Sequence, residues 1–324
     1  MAGATSKGLP LLAPEKPDGL RDSDPDRAGT PFDHFLFPSG TVQCTRMIRH
    51  RHGSEFLLIT QDDHARLSGH LAAHYGNARF AVPSPRRDVV EAVTRHDAGW
   101  ELHDSEPTLN PQQWPLHVFE TPPQISAKVW SESVRRAREH GPYCALLVSL
   151  HTLALSALQQ QHYSAVDLRP RHAMELFELN KFQQRQIEIQ EELRAMLGLR
   201  TDLPLTIGLA KRRTSEAEDL LLSNYHILKA MDQVSLALLC SGNPFATIEN
   251  ISSRPGAEPQ HLSVGYMGEW AVKVSPWPFD ADRIETQVPL RRVPAERFAD
   301  DEAFRAAYAA APVEMQTVCV ARAT

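Results

Sequence analysis

The chain has 324 residues, of which 42% are hydrophobic, and a net charge of −6 at neutral pH. This length allows one large or two modest domains with a sizeable core. The acidic balance argues against a general nucleic-acid-binding surface, which depends on clustered lysine and arginine, and the four separated cysteines form neither a zinc ribbon nor a disulfide framework.

The first 40 residues are rich in proline, glycine and aspartate, which predicts a disordered tail. They contain no apolar segment behind basic residues, and no later stretch approaches the apolar length of a membrane span. Free cysteines favour a reducing compartment. We therefore expect a cytoplasmic protein with no membrane partner.

Two short β-type runs, 42–48 and 56–60, enclose a polar turn and predict a hairpin. Helical patterns follow at 61–75 and 86–97, and Gly99 is typical of the residue that ends a helix. After a long loop at 101–123, further helices are predicted at 124–139, 143–162, 171–197 and 214–240.

Beyond residue 242 the pattern changes to short β-type runs at 262–267, 270–274, 284–293 and 315–321, with one helix at 300–311. The sequence thus predicts a helical domain at 41–242 and a sheet-rich unit at 243–324. The expected fold class is mainly α, a helical bundle with a small α+β C-terminal unit that pairs with the N-terminal hairpin.

Five ligand-type side chains interrupt the apolar faces of four predicted helices. They are His64, the adjacent pair His96 and Asp97, His151, and Asp232. At about 100° of rotation per residue, each helix turns one of these groups toward its core. A buried carboxylate costs several kcal/mol unless it is paired or coordinated, whereas a nearby cation removes that cost. The pattern predicts a metal site inside the helices.

The order His, His-Asp, His, Asp resembles the HD superfamily of metal-dependent phosphohydrolases, and the doublet in TRHDAGW is similar to the HD-x-G form common there. More broadly, residues 45–320 resemble an uncharacterised bacterial family, domain of unknown function 3891, through LITQDDHARLSG, HDAGW, LVSLHTLAL and MDQVSLALLC. The resemblance implies that His64, His96, Asp97 and Asp232 hold a cation with His151 at a neighbouring position. We expect all five to be metal ligands, and Asp97 and His151 to be catalytic.

Mixed imidazole and carboxylate donors suit Mn, Fe, Co, Ni or Zn, as one ion or two. His117 or His140 is the candidate for completing a second site. Trp100 stands where many HD proteins carry a lysine that binds phosphate. Other candidate phosphate-binding cations, none singled out by the pattern, are Arg95, Lys128, Arg135, Lys181 and the run Lys211-Arg212-Arg213.

The expected activity is metal-dependent hydrolysis of a small phosphorylated or nucleotide-like metabolite. One alternative is an oxygenase of the HD superfamily that uses two irons. Another is a binding module that keeps its metal for stability and catalyses nothing. The sequence leaves the substrate, the metal and the oligomeric state open.

Overall fold

The computed structural model describes residues 47–165, 170–199, 215–240 and 245–323. The predicted tail at 1–40, the start of the predicted first strand and the run Lys211-Arg212-Arg213 lie outside the described residues. The helices are α1 (Gln61–Ala73), α2 (Arg86–Arg95), α3 (Glu101–Asp104), α4 (Pro123–Arg138), α5 (Pro142–Ala165), α6 (Pro170–Met196), α7 (Glu216–Leu239) and α8 (Asp301–Ala310). The strands are β1 (Ile48–His52), β2 (Glu55–Ile59), β3 (Thr247–Ser252), β4 (Pro259–Gly268), β5 (Ala271–Ser275), β6 (Arg283–Pro294) and β7 (Val313–Arg322).

All seven strands belong to one sheet with the order β1-β2-β6-β7-β5-β4-β3. Only β5 and β7 pair in parallel; the other neighbours are antiparallel. The N-terminal hairpin joins the sheet through β2 and β6, where Phe56 lies opposite Val293. The sheet is also curled, because the His50 ring of β1 lies 4.4 Å from the ring of Trp270, which follows β4.

The predicted fold class, a mainly α HD-like bundle with a small α+β unit, is wrong. About half of the residues are helical, and a seven-stranded mixed, curled sheet makes this an α+β fold. Alternating apolar residues identify a strand locally, whereas the pairing of β2 with β6 is set by contacts across most of the chain. The sequence also gave no signal for β3, where only Ile248 and Ile251 are buried. The predicted division near residue 242 stays a prediction.

The two faces of the sheet are covered by different parts of the chain. Because side chains alternate along a strand, Leu57 and Ile59 face one side and Phe56 and Leu58 the other. The first side belongs to the main core, which includes Leu71, Val93, Leu147 and Leu228 from α1, α2, α5 and α7. The second is covered by α8 through Phe304. The sheet thus supports the helices that carry the predicted metal ligands.

Two glycines allow the helices around the predicted site to approach closely. A Cβ at Gly69 would lie 2.0 Å from Thr94 Oγ1, and one at Gly99 would lie 2.1 Å from the carbonyl oxygen of Val129. Gly99 lies in a short 3-10 turn, Ala98–Trp100, and donates its N–H to Ser133 Oγ at 2.9 Å. It therefore lets α4 pack against the segment after Asp97, and the chain does not take the left-handed conformation of a glycine helix stop there.

One helix in the described part of the chain, within α5 at Pro142–Gln161, is long and apolar enough to cross a membrane. The sequence reading had found no such stretch. This is weak evidence for a span, because 56% of that segment is buried inside the protein, as in the core helix of a globular fold.

Candidate metal centre

Four helices bring the predicted ligands to one point. His64 lies in the second turn of α1, whose start is fixed by Thr60: its hydroxyl accepts the N–H of Asp63 at 3.1 Å. His96 caps the end of α2, and Asp97 follows where the chain leaves the helix. His151 comes from the middle of α5 and Asp232 from α7. The five predicted residues are all buried, and none is more than 7% exposed.

Three of these residues form the tightest group. One donor atom from each of His64, His96 and Asp232 lies within 4.8 Å of the others. Asp232 Oδ1 is 3.0 Å from Nε2 of His64 and 3.5 Å from Nε2 of His96. These separations allow three donors to share one cation, because metal–nitrogen and metal–oxygen bonds near 2 Å leave neighbouring donors about 3 Å apart.

Asp97 and His151 lie next to this triad on different sides. Asp97 Oδ2 is 3.6 Å from Nε2 of His96 and 3.9 Å from Nε2 of His64. Its other oxygen, Oδ1, accepts the indole N–H of Trp100 at 3.0 Å. His151 Nε2 lies 3.6 Å from Asp232 Oδ2, the oxygen that faces away from His64. All five predicted ligands are therefore neighbours.

The donor atoms are placed to bind a cation, and several of them do not satisfy one another by hydrogen bonds. Among the described residues, Nε2 of His96 and Nε2 of His151 are buried and have no hydrogen-bond partner with acceptable geometry. Buried polar atoms are normally satisfied, and each orphan costs about 1–3 kcal/mol. A cation at this point would accept a lone pair from the imidazoles and neutralise the two carboxylates. The chemistry of the site thus suits a divalent transition metal.

The opposite nitrogens of two imidazoles are held by fixed partners. His96 Nδ1 lies 2.7 Å from the carbonyl oxygen of Val93, which can only accept, so Nδ1 carries a proton and Nε2 is the nitrogen left to bind a cation. His64 Nδ1 lies 2.7 Å from Ser235 Oγ, which in turn donates to the carbonyl of Asp232 at 2.9 Å. Such partners orient imidazoles for metal binding.

Sequence reasoning missed Ser235. Serine is common on helices, and this one matters only because α7 packs against α1, where Ser68 Oγ lies 2.8 Å from Ser235 Oγ. A second missed group is Asp104, a buried carboxylate that accepts the N–H of Gln61 at 3.0 Å. Burial raises the pKa of Asp104 well above its usual range. It lies in the predicted loop at 101–123, where no helical periodicity could identify it.

Charges inside the site compensate one another. Burial would lower the pKa of His96, but the carboxylates of Asp97 and Asp232 raise it to about 9. Burial raises the pKa of Asp97. For Asp232 burial acts in the same direction, but the hydrogen bond with His64 and the neighbouring His96 outweigh it, so its pKa lies well below its usual range. Burial lowers the pKa of His151 to about 3.

The two histidines considered for a second ion make other contacts. His117 begins a short 3-10 turn, where its Nδ1 accepts the N–H of Phe119 at 3.2 Å. His140 Nδ1 lies 3.0 Å from a carboxylate oxygen of Glu91. Neither belongs to the one three-donor group found among the described residues. The structure therefore brings neither of them to the predicted centre.

A cleft of about 370 Å³ opens beside the segment that follows Asp97 and includes Ala98 in its lining. Two of the predicted phosphate-binding cations line it, but both are already paired. Arg95 lies 2.9 Å from a carboxylate oxygen of Glu91, and Arg135 bonds to Glu132 at 2.7 Å. Lys128 and Lys181 are exposed on α4 and α6.

Comparison with known proteins gives one match. A family model described as "Protein of unknown function (DUF3891)" matches residues 47–295, which is more than half of the chain. The match includes all five predicted ligands and confirms the resemblance to that family. No curated protein and no solved structure matches the chain.

Proposed function

We propose, from the premise that this chain belongs to the DUF3891 family, that it is a metal-dependent phosphohydrolase acting on a small phosphorylated or nucleotide-like metabolite. The family description names no reaction, so the proposal depends on the buried site. We further propose a relationship to the HD superfamily, supported by the order of the donors along the chain.

The observation that carries the proposal is the convergence of three imidazoles and two carboxylates from four helices. His96 and His151 each offer a buried Nε2 without a hydrogen bond among the described residues. Asp97 and Asp232 are two buried carboxylates. Without a cation this arrangement costs free energy, since buried charges and orphaned polar atoms are unfavourable. Histidines with a purely structural role, whose ring nitrogens are all hydrogen-bonded, would not need a cation.

His64, His96, Asp97 and Asp232 would hold the cation. When bound, a divalent transition metal lowers the pKa of a coordinated water and neutralises charge on a phosphoryl group. Trp100 fixes Oδ1 of Asp97, which leaves Oδ2 directed at the site to orient a water molecule.

His151 has a different role in this proposal. Its Nε2 lies near Asp232 Oδ2 but outside the tight triad of donors. From that side it can hydrogen-bond an oxygen of the substrate or of the leaving group. Asp97 and His151 are therefore the two residues to which we assign the chemistry.

The proposal is tested on the full chain by elemental analysis and by assays with p-nitrophenyl phosphate, bis-p-nitrophenyl phosphate and nucleotides in Mn, Fe or Zn. We expect about one metal per chain and turnover that falls at least a hundredfold in Asp97→Asn. Glu106→Gln, which removes a carboxylate outside the site, is the matched control. Stoichiometric metal with no turnover of any phosphoester would overturn the hydrolase.

A second candidate is a metal-stabilised binding module with no catalysis. It is favoured by the burial of the site, because none of the five residues is more than 7% exposed and none lines the cleft beside Ala98. This candidate predicts that a chelator lowers the melting temperature, that Mn or Zn restores it, and that no phosphoester is hydrolysed in either state.

A further inference from the structure

The residue Lys229 lies on α7 one turn before Asp232. Residues three apart on a helix lie on the same side, with Cβ atoms about 5–6 Å apart. The side chain is half-buried, and its charge interacts with the Asp232 carboxylate and the His151 imidazole. The ammonium group therefore lies at the border of the metal centre.

Unlike the arginines of the cleft beside Ala98, Lys229 forms no ion pair with a described residue. Arg95 and Arg135 are bonded to glutamates. Lys229 makes no hydrogen bond or ion pair with any residue in the described part of the chain, and besides Asp232 its charge interacts with the carboxylate of Glu249 on β3. Burial lowers the pKa of Lys229, so holding its charge there costs free energy that an anion would offset.

The charge of the centre gives the class of ligand. A divalent cation would be neutralised by the carboxylates of Asp97 and Asp232, and the ammonium of Lys229 then leaves one net positive charge at the border of the site. Half-buried positive charge attracts an oxyanion strongly, because the surroundings screen it less than water does. A lysine ammonium supplies a point charge with three rotatable donors, which suits phosphate oxygens.

We infer that Lys229 is a substrate-binding residue that holds the phosphoryl oxygens of the ligand beside the metal centre. The inference deepens the proposed function and rests on it. It assigns the anion site to α7, the helix that also carries Asp232, and not to the arginine-lined cleft.

The test is calorimetric titration of inorganic phosphate into the full chain, with and without Mn, with acetate as a second anion. Three variants are compared with the wild type: Lys229→Gln, Lys229→Arg and, as the matched control, Lys181→Gln on the exposed face of α6. Bound Mn is measured in each, so that loss of phosphate binding is separated from loss of the metal.

We expect Lys229→Gln to weaken phosphate binding about tenfold or more, as for the loss of a charged hydrogen bond, with Mn content unchanged. Lys229→Arg keeps the affinity within about threefold, and acetate binds the wild type more weakly than phosphate does. Equal phosphate affinity in Lys229→Gln and the wild type, or no phosphate binding by the wild type, would overturn the inference.

A purely structural role makes a different prediction. If Lys229 serves only to offset the charge of Glu249, then Lys229→Gln and Glu249→Gln lower the melting temperature equally and neither changes phosphate binding. Phosphate binding that needs Lys229, together with no phosphoester turnover, would refute the hydrolase proposal and leave the anion site standing. Phosphoester turnover that is unaffected by Lys229→Gln would refute the anion site and leave the hydrolase proposal standing.

Discussion

Replacing Ser235 by alanine tests whether the packing of α7 on α1 prepares His64 for a metal. The hydroxyl of Ser235 is the partner of His64 Nδ1 at 2.7 Å, and His64 is fully buried. In the variant the buried Nδ1 of His64 loses this hydrogen-bond partner. No donor to the cation is removed, so any change in metal affinity comes through the orientation and tautomer of His64.

Two magnitudes follow from that geometry. An orphaned buried polar atom lowers the free energy of unfolding by about 1–3 kcal/mol. Loss of the partner that orients a metal-binding imidazole weakens metal binding about 10- to 100-fold, which corresponds to about 1.4–2.8 kcal/mol.

The assay is calorimetric titration with Mn or Zn, together with urea unfolding of the metal-free protein. Ser156→Ala is the matched control, because that serine is also buried but its hydroxyl donates only within α5, to the Leu153 carbonyl at 2.7 Å. We expect the control to bind metal within about twofold of the wild type. Unchanged metal affinity in Ser235→Ala would refute the role of the serine.

Three further outcomes are expected. Asp232→Asn keeps the shape of the side chain but removes the carboxylate nearest to two imidazoles, so bound metal measured by elemental analysis falls close to zero; a variant that retains its metal would contradict the ligand assignment. Gly99→Ala forces a Cβ to within 2.1 Å of the Val129 carbonyl oxygen and lowers the free energy of unfolding by about 1–3 kcal/mol. In the control Gly265→Ala the new Cβ meets only a flexible lysine side chain, so the free energy of unfolding falls less. Equal decreases in the two variants would refute the packing argument. Burial lowers the pKa of His117 to about 4, below the value of about 6.5 in the unfolded chain, so its contribution to stability is present above pH 6.5 and is lost as pH falls toward 4. His117→Gln is expected to make the free energy of unfolding, measured in urea between pH 7.5 and 4.5, depend less on pH. An unchanged pH dependence would contradict this role of His117.

The ligands of the candidate site were predictable because polar residues in apolar helical faces are conspicuous. His64, His151 and Asp232 each break a run of buried aliphatic side chains, and the structure brings them together with His96 and Asp97. Burial of a polar group is informative in a way that burial of leucine is not. The periodicity of a single helix was enough to find each group.

Features that depend on contact between distant segments were not predictable. Ser235 and Lys229 carry no local signal, since their importance comes from what α7 packs against. Gly99 was interpreted as a helix stop, whereas the nearby Val129 carbonyl explains it. The single sheet was missed for the same reason, because the pairing of β2 with β6 joins two parts of the chain that no local pattern connects.

The pairing of β2 with β6 also limits when the sheet can be completed during synthesis of the chain. Every donor of the metal centre has been synthesised once residue 232 is made, but β2, which leads directly into α1 and His64, receives its second neighbour only with Arg283–Pro294. A fragment that stops after α7 would carry the whole ligand set and leave one edge of β2 unpaired, which invites association with other chains. Tags and truncations at the C-terminal side therefore act on the metal-binding helices as much as on the sheet.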